Sequence, residues 1–316
     1  FKQKNVNTLH MKKFDVIIIG GGHNGLVASS YLAKKGKKVL VIEKNEHVGG
    51  LAEYANSLSC ISPIIKKELN INIPNIKDTD YIISLEDNQN HTILEDKNGK
   101  LSFVKTNADE DDQKTFLSII NNYKLFSKTL GSFMYQKPPR VKSGKRSDLF
   151  QLISMGWKIR KLGKKNMREL LRVIGLNIAD DLEDNLNNDN LKSLLSNESV
   201  LGSNLGPRSP GSILTLLYKQ AINENIFNLK KIEVTNYINQ LEDCCKKNTV
   251  EIIKSSEVRK IVTKNNSVTG IQLNNNEVIE STCVMSNADP KTTYLNLLGA
   301  ETVSYTHLTL PTKRIV

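Results

Sequence analysis

Long apolar runs are missing from this chain. Nowhere among its 316 residues do about 18 apolar side chains follow one another, so no membrane-crossing helix is expected. A secretory apolar segment behind a basic start is missing as well. Cysteines are few: Cys60, Cys244, Cys245 and Cys283 form no C-x-x-C pair, and the adjacent two are poorly placed to bridge each other. The expectation is buried or half-buried thiols in a reducing compartment. His10, His23, His47, His91 and His307 show no metal-ligand spacing, so no metal site is expected. Acidic residues are outnumbered, 33 against 44 Lys and Arg, which leaves a net charge of +11.

The basic excess is concentrated. Between Gln136 and Arg172 twelve lysines and arginines meet only Asp148 and Glu169, a net +10 in one stretch. Three readings fit: a solvated lysine-rich face, peripheral contact with an anionic membrane, or contact with another polyanion. Interleaved stacking aromatics are absent, with Trp157 alone, so no nucleic-acid partner is expected.

With 39% hydrophobic and 24% charged residues the composition is that of a globular protein with a substantial core. Phe14–Ile19 is a short continuous apolar run ending in glycines, which predicts a buried parallel strand. A helix is expected over Asn24–Lys35, stopped by Gly36, and a second buried strand over Lys38–Glu43. Together they make one βαβ unit. The middle differs: Thr92–Lys105 reads as a hairpin turning at Asn98-Gly99, and 113–130, Leu149–Leu171 and Ile213–Ile226 carry helical spacing. A helix over 234–247 follows, then strands over Val250–Ile253, Glu257–Val262, Val268–Leu273 and Val278–Met285, with Asn-rich turns at 265–266 and 274–276. The pattern is α/β: a Rossmann-type domain with an inserted mixed α+β substrate or cap domain. The expected boundaries are 12–70 and 231–302 for the two parts of the nucleotide domain and 71–230 for the insertion.

Gly20-Gly-Gly-His-Asn-Gly25 fits G-x-G-x-x-G at Gly20, Gly22 and Gly25, between the first strand and its helix. Gly20 allows the tight turn, Gly22 lets backbone approach a pyrophosphate, and Gly25 lets helix and sheet pack closely. The helix N-terminus offers N–H groups to phosphate, and His23 and Asn24 suit that loop better than proton transfer. Glu43 ends the second strand 18 residues after Gly25, placed to accept from both ribose hydroxyls, with Lys44 next to it. A second glycine pair, Gly49-Gly50, follows at once. Such a pair lets another backbone segment close over the pyrophosphate, a feature of two-dinucleotide-binding-domain flavoproteins that points to FAD rather than NAD.

From Phe14 through Gly50 the chain resembles the phytoene dehydrogenase-like flavoproteins, in the branch of pyridine nucleotide-disulfide oxidoreductase domain-containing protein 2. Gly206–Ser212 and Val284–Lys291, with Leu295, Leu297 and Leu298 beyond, extend the resemblance. It implies an FAD-dependent oxidoreductase with a fold shared by carotenoid desaturases and amine oxidases. Gly20, Gly22, Gly25, Glu43 and Gly50 carry over as FAD contacts. Val258 matches a position whose backbone contacts adenine, and Ser286 and Asn287 lie in a loop approaching the cofactor. Gly206–Ser212 either lines the substrate side or is a structural turn. The family's glycine-rich stretch near the flavin is replaced by Leu229–Val234, and its C-terminal glycine-rich segment is absent. By that comparison the chain is a C-terminally truncated fragment, with 303–316 a non-native tail resembling a translated sequencing adapter and 1–10 upstream of the first methionine, Met11.

There is no second G-x-G-x-x-G and no C-x-x-x-x-C, so neither an NADPH domain nor a redox disulfide is expected. What remains is hydride transfer from a small-molecule substrate to flavin, with no catalytic acid or base named. Two alternatives stay open: a membrane-associated desaturase or isomerase of carotenoid-like lipids, and a non-catalytic regulatory protein that keeps the nucleotide fold. The resemblance implies a cytoplasmic place in a bacterium and the mitochondrial matrix in a eukaryote.

Overall fold

The structure, a computed structural model, describes residues 13–54, 61–73, 75–76, 81–84, 91–97, 100–141, 144–223, 226–227 and 231–299. Cys60, His10, His307, the Asn98-Gly99 turn, residues 228–230 and the 303–316 tail lie outside the described residues. The described residues of 1–58, 63–74 and 232–316 form one compact unit, and those of 59–62 and 75–231 another.

The first unit begins with β1 (Val16–Ile19), α1 (His23–Lys34), β2 (Val39–Ile42) and α2 (Pro63–Leu69). Every residue of β1 and β2 is buried, as continuous apolar runs in a doubly covered parallel sheet require. The chain then makes the second unit: β3 (Asn75–Ile76), β4 (Tyr81–Ser84), β5 (His91–Lys97), β6 (Lys100–Lys105), α3 (Glu110–Met134), α4 (Arg146–Arg160), α5 (Gly163–Gly175), α6 (Ile178–Glu183), α7 (Asp189–Val200) and α8 (Ser212–Asn223), ending at β7 (Lys231–Ile232). It returns with α9 (Val234–Lys247), β8 (Glu251–Ile253), β9 (Val258–Lys264), β10 (Ser267–Leu273), β11 (Val278–Glu280) and β12 (Val284–Ser286).

The main sheet of the first unit runs β12-β1-β2-β8, all parallel, with Ile19 level with both Ile42 and Ser286. Ile17, Ile19, Leu40 and Ile42 point to one face, where Val258, Ile261, Ile271 and Ile279 of the antiparallel β11-β10-β9 meander meet them. By strand alternation Val16, Ile18, Val39 and Val41 face the other side, toward α1. There α9 packs on α1 through the buried Cys245 thiol, 3.2 and 3.3 Å from the Ser29 and Ser30 hydroxyls. Burial pushes that thiol's pKa up, as expected of an inert structural cysteine.

The second unit joins the antiparallel β4-β5-β6 sheet to helices. Phe116, Ile120, Tyr123, Phe126 and Leu130 of α3 share one core with Ile213, Leu216 and Leu217 of α8. Asp109 caps α3 by accepting from the Asp112 N–H at 2.7 Å.

Helices α2, α6 and α7 go beyond what the sequence reading named, and the structure departs from that reading at three further points. The Leu149–Leu171 pattern is two helices, because Gly163 turns the chain at φ +82°. Val278–Met285 is two strands, separated where the Ser281 hydroxyl binds the Cys283 backbone, so β11 closes the meander and β12 joins the parallel sheet. Cys283 is exposed rather than buried or half-buried, because it lies in that connection; Cys244 and Cys245 are buried. The expected Asn265-Asn266 turn does hold two left-handed residues, at φ +52° and +58°.

Gly270 sits at φ +157°, where an added Cβ would lie 2.2 Å from the Ile279 carbonyl oxygen. Gly270→Ala is expected to destabilise the chain by about 1–3 kcal/mol by forcing β10 and β11 apart. The denaturation midpoint measures it, and an unchanged midpoint would contradict the packing described.

Candidate dinucleotide site

The site is built from the turn that leaves β1. Gly20 takes φ +97°, a left-handed conformation that favours glycine, and its N–H donates to the Ile42 carbonyl at 2.8 Å. The chain then enters α1 so tightly that a Cβ on Gly25 would stand 2.2 Å from the Gly20 carbonyl oxygen. Gly22 is the N-cap of α1; it supplies no side chain to the open N–H groups, and no acid lies in the first turn. His23 and Asn24 open the helix, His23 half-buried and Asn24 exposed. The helix therefore presents N-terminal N–H groups that no side chain caps and the positive end of its dipole, an arrangement suited to phosphate.

Glu43 follows β2 and is 4% exposed. Its Oε2 accepts from the Gly21 N–H at 2.7 Å and its Oε1 from the Asn45 N–H at 2.9 Å. A carboxylate has about four acceptor positions, so each oxygen can accept a further hydrogen bond. The side chain thus ties the glycine turn to the end of β2. Lys44, beside it, is exposed.

The second glycine pair comes back onto the first. The Gly49 N–H donates to the Gly21 carbonyl at 2.9 Å, and Gly22 and Gly49 form a parallel bridge. Gly50, at φ +59°, approaches so closely that its Cβ would sit 3.2 Å from the Gly22 Cα. From the far end of the chain the Asn287 N–H donates to the Ile19 carbonyl at 2.8 Å. The Asn287 amide lies over the turn, where a Cβ on Gly22 would come within 2.9 Å of its Nδ2.

The structure therefore brings together Gly20, Gly22, His23, Asn24, Gly25, Glu43, Gly49, Gly50 and Asn287. Ser286 is level with Ile19, but its hydroxyl is engaged locally, 2.7 Å from the Thr293 hydroxyl and accepting from the Ala288 N–H. Val258 opens β9 with its side chain in the core. Sequence reasoning missed the segment before it: the Ser255 and Ser256 N–H groups donate to the Asn45 and Glu43 carbonyls, each at 2.9 Å. The left-handed Ser255, φ +53°, had no glycine or asparagine to signal it. His47 is exposed, at a cavity of about 280 Å³ also lined by Val48, Val234, Ile238 and Glu242.

In the second unit Gly206–Ser212 is tied into the helix ends around it. The Ser212 hydroxyl donates to the Pro207 carbonyl and accepts from the Ile178 N–H, and Arg208 pairs with Asp180 and Glu183. A further polar cluster went unread in the sequence. Buried Tyr123 donates to Asp181 Oδ2 at 2.6 Å, and Arg172 donates to Asp181 Oδ1 at 2.6 Å. Burial, reinforced by Asp181, pushes the Tyr123 pKa well above its ordinary value, which suits a structural donor rather than a proton shuttle.

Residues 18–59, which contain both glycine segments and Glu43, match the NAD(P)-binding Rossmann-like domain family. Pyridine nucleotide-disulfide oxidoreductase domain-containing protein 2 of Rattus norvegicus is 23% identical over 338 aligned residues, covering 95% of this chain and 57% of that protein. The chain thus spans just over half the length of that relative. Vinyl phenol reductase of Lactiplantibacillus plantarum is 33% identical over 60 residues, 19% of this chain and 12% of that one. Among solved structures, cyclohexylamine oxidase from Brevibacterium oxydans aligns with a TM-score of 0.51 at 14% identity, over 94% of this chain and 62% of that one. The likeness is one of fold: a Rossmann-like parallel sheet with further α/β structure around it.

Two outcomes follow for the site. Glu43→Gln should destabilise the ligand-free chain by about 1–3 kcal/mol, because an amide cannot accept from both backbone donors; an unchanged unfolding midpoint would show that the tie carries no weight. Burial holds the His23 imidazole below its usual 6.5, because leaving water disfavours the charged form. Its contribution to stability is present above 6.5 and is lost as pH falls through the depressed value. An NMR titration should give a His23 midpoint below 6.5, and a midpoint at or above 6.5 contradicts the burial.

Proposed function

We propose that the chain carries the nucleotide-binding part of an FAD-dependent oxidoreductase, one that moves a hydride from a small, apolar substrate to flavin. The observation that carries this reading is the double glycine closure, in which Gly49 and Gly50 return onto the Gly20–Gly25 turn while Glu43 holds that turn from β2. A single G-x-G-x-x-G turn serves NAD and FAD alike. The second backbone segment over the pyrophosphate position favours FAD. The resemblance to the phytoene dehydrogenase-like flavoproteins agrees with it.

The residues present fit the phosphate and ribose half of such a cofactor. The N–H groups of Gly22, His23 and Asn24 would hold the pyrophosphate, and the spare acceptor positions of Glu43 the adenosine ribose. The carboxylate would repel a 2′-phosphate there, which disfavours NADP. Gly20, Gly25 and Asn287 act by shape: they fix the turn that aims those donors. Bound FAD supplies the hydride acceptor, and the chain's part is to position it and keep water from the reacting bond.

Purification of the protein, followed by absorbance and mass measurement of any bound chromophore, tests the reading. FAD is expected, and Glu43→Arg should lower its retention at least about tenfold through charge reversal at the ribose. A colourless protein that takes up no added FAD would overturn the proposal, and one that instead binds NAD would redirect it to a dehydrogenase.

A further inference from the structure

Helix α4 is apolar on two faces, and its own unit uses only one. Ile159 packs against the helical core, and Lys158 sits 5.5 Å over the Phe133 ring. Yet no residue of α4 is fully buried. On its outer side Leu149, Phe150, Ile153 and Trp157 are 58%, 69%, 58% and 62% exposed. At 3.6 residues per turn these four fall within an arc of about 100°. Single exposed apolar residues need no explanation, but a contiguous stripe of four large ones on one helix marks a contact surface.

The charges around the stripe say what it contacts. Arg146 stands at the N-terminal end of the same arc and Arg160 and Lys161 at its C-terminal end, all exposed. Asp148 is half-buried on the helix, and it and Glu169 are the only acids among 136–172. Tryptophan, phenylalanine and branched aliphatics between terminal cations is the arrangement of a helix lying in a bilayer interface, its apolar side in the acyl boundary and its long basic side chains reaching the headgroups. With 15 residues, α4 is too short to cross a membrane, and no described helix is long and apolar enough to do so. A protein groove would match the apolar stripe alone; a net +10 over the surrounding stretch favours an anionic surface.

We propose that α4 is an interfacial docking helix that seats this protein on anionic lipid bilayers, with Phe150, Ile153 and Trp157 entering the membrane. The proposal does not depend on the oxidoreductase reading, and the failure of either leaves the other standing.

Trp157 is the only tryptophan in the chain, so its fluorescence reports on this helix alone. The 316-residue chain would be mixed with phosphatidylcholine vesicles, with and without phosphatidylserine. The expected result is a blue shift and protection from an aqueous quencher with the phosphatidylserine vesicles, weakened by salt. Phe150→Ser with Ile153→Ser should reduce vesicle partitioning at least about tenfold, since two large side chains no longer leave water. Both side chains are exposed, so circular dichroism of this variant should match the parent. Co-sedimentation without any shift in Trp157 emission would mean contact by charge alone and would overturn the proposal. So would an emission already blue-shifted and quencher-resistant without vesicles, since another segment or a second copy would then cover the face.

Discussion

The hydrogen bond from the Gly21 N–H to Glu43 Oε2 joins the two strands of the βαβ unit at the place where a ligand would lie. Without it the glycine turn has little to define its shape, since three successive glycines offer no side chains and wide conformational freedom. The carboxylate supplies what they lack. It sits at the end of β2, whose register against β1 is set by four buried residues on each strand. The turn therefore inherits its position from the sheet. Once Gly21 is fixed, the N-terminus of α1 has a defined direction, and the contact of Gly25 with the Gly20 carbonyl allows no slack.

Two other segments are attached to the same point. Gly49 binds Gly21 from one side, and the 255–256 segment binds Glu43 and Asn45 from another. The third strand of the arrangement, β12, comes from more than 200 residues away in sequence and sets Asn287 over the turn. The first unit is thus completed only after the chain has left it, built the second unit and come back. The sheet edge beside β1 is completed only by the returning segment, and the meander covers the face that α1 leaves open. Most of the polar groups near the turn serve its shape, and no side chain caps the N-terminus of α1.

What could be read from the sequence was whatever local pattern decides. The runs Val16–Ile19 and Val39–Ile42 could only be buried strands, and the apolar spacing over Val234–Lys247 could only be a helix. The glycine spacing revealed the turn because few other residues could adopt it. What could not be read depends on distant partners. Nothing local says that Glu43 bonds inward to Gly21, that Ser255 is left-handed, or that Ser281–Cys283 divides one apolar run between two sheets. Helices α6 and α7 carried asparagine caps, at Asn177 and Asn188; α6 has only six residues to show a pattern, whereas Leu191, Leu194 and Leu195 of α7 stand at i, i+3 and i+4 and could have been read. The exposed stripe on α4 was hidden for the opposite reason. Its apolar residues carry helical spacing, and only the fold shows which side of the helix meets its own unit.

Residue-resolved amide hydrogen exchange across Gly20–Gly25, with and without FAD, tests the central claim most directly. The account predicts that the Gly21 amide is protected without ligand, by Glu43, while those of His23 and Asn24 exchange freely until FAD is added and then slow. A Gly21 amide that exchanges freely in the ligand-free chain, or His23 and Asn24 amides indifferent to FAD, would contradict it.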